Sequence, residues 1–244
     1  MNNYELTYIQ FSEASILVQW PPQIAPEILD DVLIFKMYLL NLPNQSIFQI
    51  THAYNSILIS YDSHLDDLEV QLSLLESHYA SRLNLEKQQR KLWKIPVCYD
   101  STFGLDLEEI SVEKNRSTSE IIQLHSEAVY KVYFIGFLPG FLYLGGLDER
   151  LYMPRKKSPR QHIGRGAVAI GGEQTGIYPN ASPGGWNILG NSPIDFFNPN
   201  LKQPCFASAG DSIRFVAVDF KTHQEILTAV QNGTYFNSGP KWNL

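Results

Sequence analysis

The segment from Phe134 to Pro193 most constrains the fold of this 244-residue chain. Twelve of the 16 glycines lie within it, interleaved with aromatic residues and prolines. Such a mixture cannot form one helix, and it is too apolar for a disordered linker. Between Arg165 and Asp195 the one charged residue is Glu173. The segment is therefore predicted to form short, largely buried strands and tight turns around a site.

The length and composition of the chain limit its class. A chain of this length holds one large or two small domains. The formal net charge of −6 argues against a nucleic-acid partner. Two distant cysteines, Cys98 and Cys205, favour reduced thiols in the cytosol over a disulfide. The N-terminus lacks the pattern of a signal peptide, and no apolar run approaches the ~20 residues of a membrane span. We therefore expect a cytoplasmic protein with no membrane partner.

The first ninety residues alternate strand-like and helix-like patterns. The predicted strands are residues 4–11, 16–20, 47–50 and 57–61, and the predicted helices are residues 27–40 and 65–83. Ser63 is expected to cap the second helix. This order predicts a small α/β sandwich domain over residues 1–91, with both helices on one face of an antiparallel sheet. Its histidines share no metal-ligand spacing, so no metal site is predicted.

A second domain is predicted over residues 92–244, after a polar run at 86–91. Ser117 and Glu120 have the spacing of a capping box, which predicts a short helix that ends near His125. Downstream of this helix the helical periodicity ends. Strands are expected over residues 93–99, 129–137, 168–170, 186–189 and 212–218. Many short strands with glycine- and proline-rich turns predict a barrel or a sandwich, so the fold class is α+β.

The chain has one basic run, from Arg150 to Arg165, and no acidic residue occurs between Arg150 and Gly172. Clustered cations attract anions, and an arginine can hold a carboxylate or a phosphate through two hydrogen bonds. The alternative is a solvated surface loop. Arg155, beside Pro154, lies nearest the apolar segment and is expected to point inward.

The sequence GGEQTG at residues 171–176 resembles a phosphate loop in its glycines alone. A P-loop continues with Lys and then Ser or Thr, whereas Ile177 and Tyr178 follow here. Two interpretations remain open. The loop presents Gln174 and Thr175 as uncharged hydrogen-bonding groups beside Tyr178, or it is a tight barrel turn with Gln174 exposed.

His125 is the candidate catalytic base, because it lies just before the strand that enters the glycine-rich segment. It would need an orienting partner, and Glu127 is too close along the chain to serve as one. No GxSxG, HExxH or CxxC motif appears. The candidate substrate-binding residues are Tyr133, Arg155, Gln174, Thr175 and Tyr178, which we expect at one cleft.

Taken together, these motifs resemble the PxpB family, the B subunits of bacterial 5-oxoprolinases, which is also called KipI-like or allophanate hydrolase subunit 1. The matching runs are IPVCY (95–99), GFLPGFLYLGGL (136–147), MPR (153–155), QTGIYP (174–179), SPGGW (182–186) and AGD (209–211). They cover the second domain nearly completely, whereas the first domain matches mainly in SILI (56–59) and in its order of elements. Where the family usually has VPAGSV, this chain has IGRGAV at residues 163–168, which bears on the substrate more than on the fold.

The resemblance implies a cyclophilin-like β-barrel for the second domain. It also implies two partners, the C subunit (PxpC-like) and the A subunit (PxpA-like) of 5-oxoprolinase. With them the chain would convert 5-oxoproline to glutamate with ATP hydrolysis, at a site shared with the PxpC-like partner. We infer phosphorylation of the amide oxygen followed by attack of water.

Because the chain has no ATP motif, nucleotide binding is expected elsewhere in the complex and the chain is expected to be inactive alone. The resemblance leaves two alternatives. One is a binding module that inhibits a sensor histidine kinase. The other is a carboxyltransferase-type subunit of a urea carboxylase or of a system like allophanate hydrolase.

Overall fold

The computed structural model of the protein describes residues 4–43, 46–82 and 90–235. The chain divides into two compact units, residues 1–89 and 90–244. Leu83 of the predicted second helix, and most of the polar run at 86–91, lie outside the described residues. No described helix combines the length and apolar character needed to cross a membrane.

The first unit is a four-stranded antiparallel sheet with two helices. Its elements are β1 (Thr7–Ser12), β2 (Ser15–Gln19), α1 (Pro26–Leu40), β3 (Ile47–His52), β4 (Ser56–Tyr61) and α2 (Leu68–Ser81). The strand order is β1-β2-β4-β3. Strands alternate their side chains between two faces, and Ile16, Val18, Ile57 and Ile59 share the buried face, which packs with Phe35 of α1.

Helix α2 begins later than the sequence predicts. Asp67, not Ser63, caps it, because the Asp67 carboxylate accepts from the Val70 N–H at 3.1 Å. The chain before it is committed elsewhere, since the Leu65 N–H donates to the Glu13 carbonyl. The side chain with the better-placed acceptor therefore sets the start of the helix.

The helices of this unit are tied together by a buried ion pair between Asp31 of α1 and Arg82, which follows α2. Arg82 donates to one Asp31 oxygen from Nε at 3.0 Å and from Nη2 at 2.8 Å. Trp20 Nε1 and the Tyr79 hydroxyl donate to the other oxygen at 2.8 and 2.6 Å. Both oxygens of the buried carboxylate are thus satisfied, which is the condition for burying a charge without a large penalty.

The second unit contains nine strands and three α-helices in its described part. They are β5 (Leu92–Cys98), α3 (Leu107–Lys114), α4 (Thr118–Glu127), β6 (Val129–Ile135), β7 (Leu142–Gly145), β8 (Arg160–Ile163), β9 (Ala167–Gly171), β10 (Gln174–Ile177), β11 (Ser182–Gly184), β12 (Asn187–Asn191), β13 (Ser212–Val218) and α5 (Phe220–Gln231). Seven of the strands close a barrel in the order β10-β7-β6-β13-β5-β12-β9. Strands β8 and β11 form a separate two-stranded sheet. The α+β class and the β-barrel are confirmed.

Two local predictions in this unit have different outcomes. The capping box is confirmed, because Ser117 accepts from the Glu120 N–H while the Glu120 carboxylate accepts from the Ser117 N–H. The prediction that helical periodicity ends after the helix near His125 is wrong, because α5 follows the last barrel strand. Asp219 caps α5, and the helix buries His223 and Ile226 on one face.

Alternation along the barrel strands creates two apolar layers. Val168 and Ile170 of β9 belong to the main cluster inside the barrel, whereas Ala167 and Ala169 belong to a second cluster. This second cluster also includes Phe141, Ile163, Tyr178, Trp186 and Ile188. It lies on the outer surface of the barrel wall, and it forms the floor of the site described below.

Replacing Asp31 with Ala should destabilise the first unit by about 3–5 kcal/mol, because it leaves the Arg82 guanidinium buried without its carboxylate. Urea unfolding followed by tryptophan fluorescence, with Trp20 as the local reporter, measures the loss. Glu27→Ala, at an exposed position in the first turn of the same helix, is the matched control and should cost less than about 1 kcal/mol. Equal losses in the two variants would contradict a stabilising role for the ion pair.

Candidate functional site

A cleft of about 320 Å³ lies on the outer wall of the barrel. It is lined by Phe137, Phe141, Tyr143, Arg155, Lys156, Pro159, Tyr178, Pro183, Gly184, Gly185 and Trp186. Strand β7, the two-stranded sheet and the segments that flank them supply these residues. The cleft thus combines an aromatic wall with two cationic side chains.

The aromatic wall is organised around Phe141. Its ring meets the rings of Tyr178 and Trp186 edge to face, at centroid distances of 5.2 and 5.6 Å. Tyr143 packs on Phe141 at 4.7 Å and on Trp186 at 6.1 Å. Edge-to-face packing of this kind holds rings in fixed orientations. Burial raises the pKa of Tyr143 and Tyr178, with the charge of Arg155 partly offsetting the effect, so both hydroxyls stay protonated near neutral pH.

Two glycines allow the rings to approach the backbone this closely. A Cβ atom on Gly171 would lie 2.8 Å from the Trp186 ring, and one on Gly184 would lie 2.3 Å from the Tyr178 hydroxyl. Both distances are too short for a real side chain. These glycines are therefore required for the packing of the wall.

Most cations of the basic run are neutralised within the protein. Lys156 and Arg160 pair with Asp106, Arg150 pairs with Asp148, and Arg165 pairs with Asp195. Arg155 differs, because no carboxylate among the described residues pairs with it. Its guanidinium lies 5.5 Å from the centroid of the Trp186 ring, at the edge of the cleft. Arg155 is therefore the cation of the cleft that is left available to a ligand.

Asp106, just before α3, holds the segment that carries Arg155. Its side chain is 1% exposed and accepts from both terminal nitrogens of Arg160, at 2.9 and 2.6 Å. It also accepts from the Ile188 N–H at 2.6 Å and lies 2.9 Å from Lys156 Nζ. Burial alone would raise the pKa of the Asp106 carboxyl, but these donors outweigh burial and hold the pKa below its ordinary value.

Backbone hydrogen bonds fix the chain on both sides of Arg155. The Pro154 carbonyl accepts from the Asn187 side chain at 3.0 Å. The Lys156 N–H donates to the Gly185 carbonyl at 2.7 Å. With its neighbours held in this way, Arg155 retains its side-chain freedom but little backbone freedom.

A strained turn places Phe137 at the rim of the cleft. The Leu138 N–H donates to the Gly136 carbonyl at 2.8 Å, and Phe137 between them has a φ of 64°. This is a γ-turn with a bulky residue in the left-handed region, a conformation that costs on the order of 1–3 kcal/mol. The ring of Phe137 stays 64% exposed and touches Phe141 at a right angle. The turn thus holds an exposed aromatic ring over the opening.

The structure places His125 and Thr175 inside the barrel rather than at the cleft. The Tyr99 hydroxyl donates to His125 Nδ1 at 2.7 Å, and His125 Nε2–H donates to Thr175 Oγ1 at 2.9 Å. The direction is set by Thr175, whose own hydroxyl donates to the Ala169 carbonyl at 3.0 Å. His125 is 0% exposed, and burial lowers its pKa to about 3. The expectation that these two residues face a ligand is corrected: they form a neutral hydrogen-bond chain in the core.

Of the other candidate residues, the cleft brings together Arg155 and Tyr178. Tyr133 is buried on β6 with its ring close to Gly145, and it does not line the cleft. Gln174 is partly exposed at the start of β10 and does not line the cleft either. Between β9 and β10 two residues form the turn, with Gly172 at a φ of 65°. The segment is therefore a tight hairpin turn, the second of the two interpretations above.

Sequence reasoning missed the role of the aromatic residues Phe137, Phe141, Tyr143 and Trp186. Phe141 and Tyr143 are two residues apart, a spacing that places both on one face of a strand. That signal was available, but nothing in the sequence indicates that this face meets Trp186 from another strand end.

The side chains that line the cleft are suited to binding. Its lining provides apolar rings, two protonated phenols, a guanidinium and an ammonium group, and no carboxylate, imidazole, thiol or aliphatic hydroxyl. Within the described ranges, no three His, Cys, Asp or Glu side chains are grouped as metal ligands. The cleft can therefore hold an anion against an aromatic surface, and its lining offers no carboxylate or imidazole as a general base.

The sequence of this chain matches a known protein family and several of its relatives. The family described as "Carboxyltransferase domain, subdomain C and D" matches residues 6–207. The B subunit of the 5-oxoprolinase of Bacillus subtilis is 32% identical over 88% of this chain and 93% of its own length. The B subunit of the 5-oxoprolinase of Haemophilus influenzae is 35% identical over 86% of this chain and 97% of its own length.

Two solved structures share the fold. TTHA0988 superposes with a TM-score of 0.71 and 32% identity over 84% of this chain, which spans 40% of the length of that protein. The urea amidolyase of Kluyveromyces lactis superposes with a TM-score of 0.79 over 95% of this chain and 16% of its own length. At 20% identity, the second likeness shows the fold alone.

The folded-state pKa of His125 is about 3, below the ordinary value of ~6.5. Between these two pH values the unfolded chain binds a proton at this histidine and the folded chain does not. The contribution of His125 to stability is therefore fully present above ~6.5 and is lost as the pH falls toward 3. We expect a loss of about 1.4 kcal/mol between about pH 7.5 and pH 5.5.

Urea unfolding of the wild type and of His125→Gln at the two pH values measures this difference, and the variant should lack that part of the pH dependence. His162→Gln, which removes an exposed histidine of β8, is the matched control. If His125→Gln keeps the full pH dependence of the wild type, the imidazole is not held neutral in the core.

Proposed function

Since the chain belongs to the carboxyltransferase subdomain C and D family and to the PxpB family of 5-oxoprolinase B subunits, we propose that it acts as the B subunit of a 5-oxoprolinase. The reaction is the ATP-dependent conversion of 5-oxoproline to glutamate. The observation that carries this proposal is the near full-length match to two proteins of that name. The shared fold of the urea amidolyase is compatible with it, but fold alone does not specify an activity.

The chemistry of the cleft supports a role in binding a small anionic amide. Arg155 is a guanidinium without a carboxylate partner among the described residues, beside apolar rings and protonated phenols. Since the cleft supplies no general base, the groups that carry out hydrolysis would come from a partner. We propose that a PxpC-like protein completes the site and that a PxpA-like protein belongs to the same complex.

The glycine-rich segment of this chain does not have the form of a phosphate loop. The glycine-rich segment at 171–176 forms a hairpin turn that leads into a strand, whereas phosphate loops lead into a helix N-terminus. Its tip carries Glu173, whose charge would repel a phosphate. ATP would therefore bind elsewhere in the complex, and no step of ATP chemistry is assigned to these residues. Both cysteines, Cys98 and Cys205, are free thiols, which supports our proposal of a cytoplasmic location.

The three-protein complex should be active, and this chain alone should be inactive. Co-expression with the PxpA-like and PxpC-like partners should give 5-oxoproline-dependent ATP hydrolysis with formation of glutamate. The purified chain alone should show no turnover, because the lining of its cleft offers no carboxylate or imidazole as a general base and its sequence contains no phosphate-loop motif. A preparation of the two partners without this chain is the control. An inactive three-protein assembly would contradict the proposed function, and turnover by the single chain would contradict the shared site.

A further inference from the structure

The cleft contains one cation for which the described residues offer no counter-charge. The fold provides carboxylates for Lys156, Arg160, Arg150 and Arg165, yet none among the described residues for Arg155. Arg155 is exposed, so its charge is solvated in the free protein and can exchange water for a ligand at small cost. A guanidinium offers a planar pair of donors that matches a carboxylate.

The surface beside this cation is aromatic, and mutual packing holds its rings in fixed orientations. The rings of Tyr143, Tyr178 and Trp186 pack on Phe141, and Gly171 and Gly184 let the rings of Trp186 and Tyr178 lie against the backbone. Rings fixed in this way lose little freedom when a ligand stacks on them, so less binding energy is spent on ordering the site. They favour a ligand with a planar face and disfavour one with a second charge, which would lose its hydration against the wall.

The size of the cleft limits the ligand further. Its volume of about 320 Å³ lies at the lower end of the ~300–1,000 Å³ range of small-molecule pockets. A ring of five or six atoms with one carboxylate fits these dimensions better than a nucleotide does. The Tyr178 hydroxyl stays protonated, because burial raises its pKa, and it can donate to a carbonyl oxygen of such a ligand.

We propose that the cleft is a binding site for a small cyclic carboxylate, with the carboxylate held by Arg155 and the ring lying against the aromatic residues that line the cleft. This inference rests on the proposed function for one point, the expectation that 5-oxoproline is the natural ligand. It adds where that ligand binds on this chain and which of its groups is recognised. The isolated chain should bind this ligand, whereas hydrolysis should require the partner protein.

Isothermal titration calorimetry of the full-length chain with three probes tests the site. The probes are 5-oxoproline, cyclopentanecarboxylate, which keeps the ring and the carboxylate, and 2-pyrrolidinone, which keeps the ring amide and lacks the carboxylate. Both carboxylates should bind, and 2-pyrrolidinone should bind at least about 10-fold more weakly, because it lacks the charge-assisted hydrogen bonds to Arg155.

Variants then identify the residue responsible. Arg155→Ala should weaken both carboxylates by about 10- to 150-fold and leave the weak binding of 2-pyrrolidinone unchanged. Arg155→Lys should recover part of the loss, since it restores the charge without the paired donors. The matched control is Lys157→Ala, which removes an exposed cation two residues away that does not line the cleft. Thermal unfolding should be nearly the same for all three variants, because both side chains are exposed.

The outcomes separate this site from the proposed function. Failure of both carboxylates to bind the wild type, or equal binding to Arg155→Ala, overturns the site even if the three-protein assembly is active. Binding that depends on Arg155, in an assembly that does not hydrolyse 5-oxoproline, supports the site and overturns the proposed function. Equal affinity for 2-pyrrolidinone and 5-oxoproline overturns recognition of the carboxylate.

Discussion

The buried carboxylate of Asp106 is the interaction on which the site depends. It binds a main-chain N–H of barrel strand β12 and two cations, Lys156 ahead of β8 and Arg160 at its start, so it joins the start of a helix, the barrel wall and the edge of the cleft. A buried carboxylate is tolerated only when it is fully hydrogen-bonded, and this one accepts from three residues. By binding Lys156 and Arg160, it also removes these two cations from competition for an anion and leaves that role in the cleft to Arg155.

The barrel wall separates two kinds of polar chemistry. Inside, His125 is locked between Tyr99 and Thr175 with both ring nitrogens hydrogen-bonded, and burial keeps it neutral. Outside, the cleft has a cation in water and rings in fixed positions. His125 therefore belongs to the core of this protein, and the cleft that is open to a ligand is lined by no histidine or carboxylate. In the proposed complex, this chain would therefore bind the ligand and a partner would supply the catalytic groups.

The sequence predicts the fold better than it predicts the site. The apolar patterns of β2, β4 and β13 and the Ser117 capping box are local signals, and the structure confirms them. Helix α5 could have been predicted, because His223, Ile226 and Val230 recur at helical spacing. The start of α2 is misplaced because the Leu65 N–H donates to a carbonyl of a distant loop.

The site itself is only partly visible in the sequence. Arg155 and Tyr178 can be predicted as cleft residues from the basic run and the glycine-rich segment. The burial of His125 and Thr175 cannot be predicted, because only closure of the barrel brings them together.

The γ-turn at Phe137 sets a conflict between stability and recognition. Glycine adopts a φ of 64° at little cost, whereas phenylalanine is strained there, so the folded chain without its ligand would be better served by glycine. A directed-evolution campaign that selects this chain for heat resistance would therefore favour Phe137→Gly and would remove the exposed ring from the rim. Thermostable variants obtained in this way should be checked for binding before they are used as scaffolds, because the selected property and the useful one oppose each other at this residue.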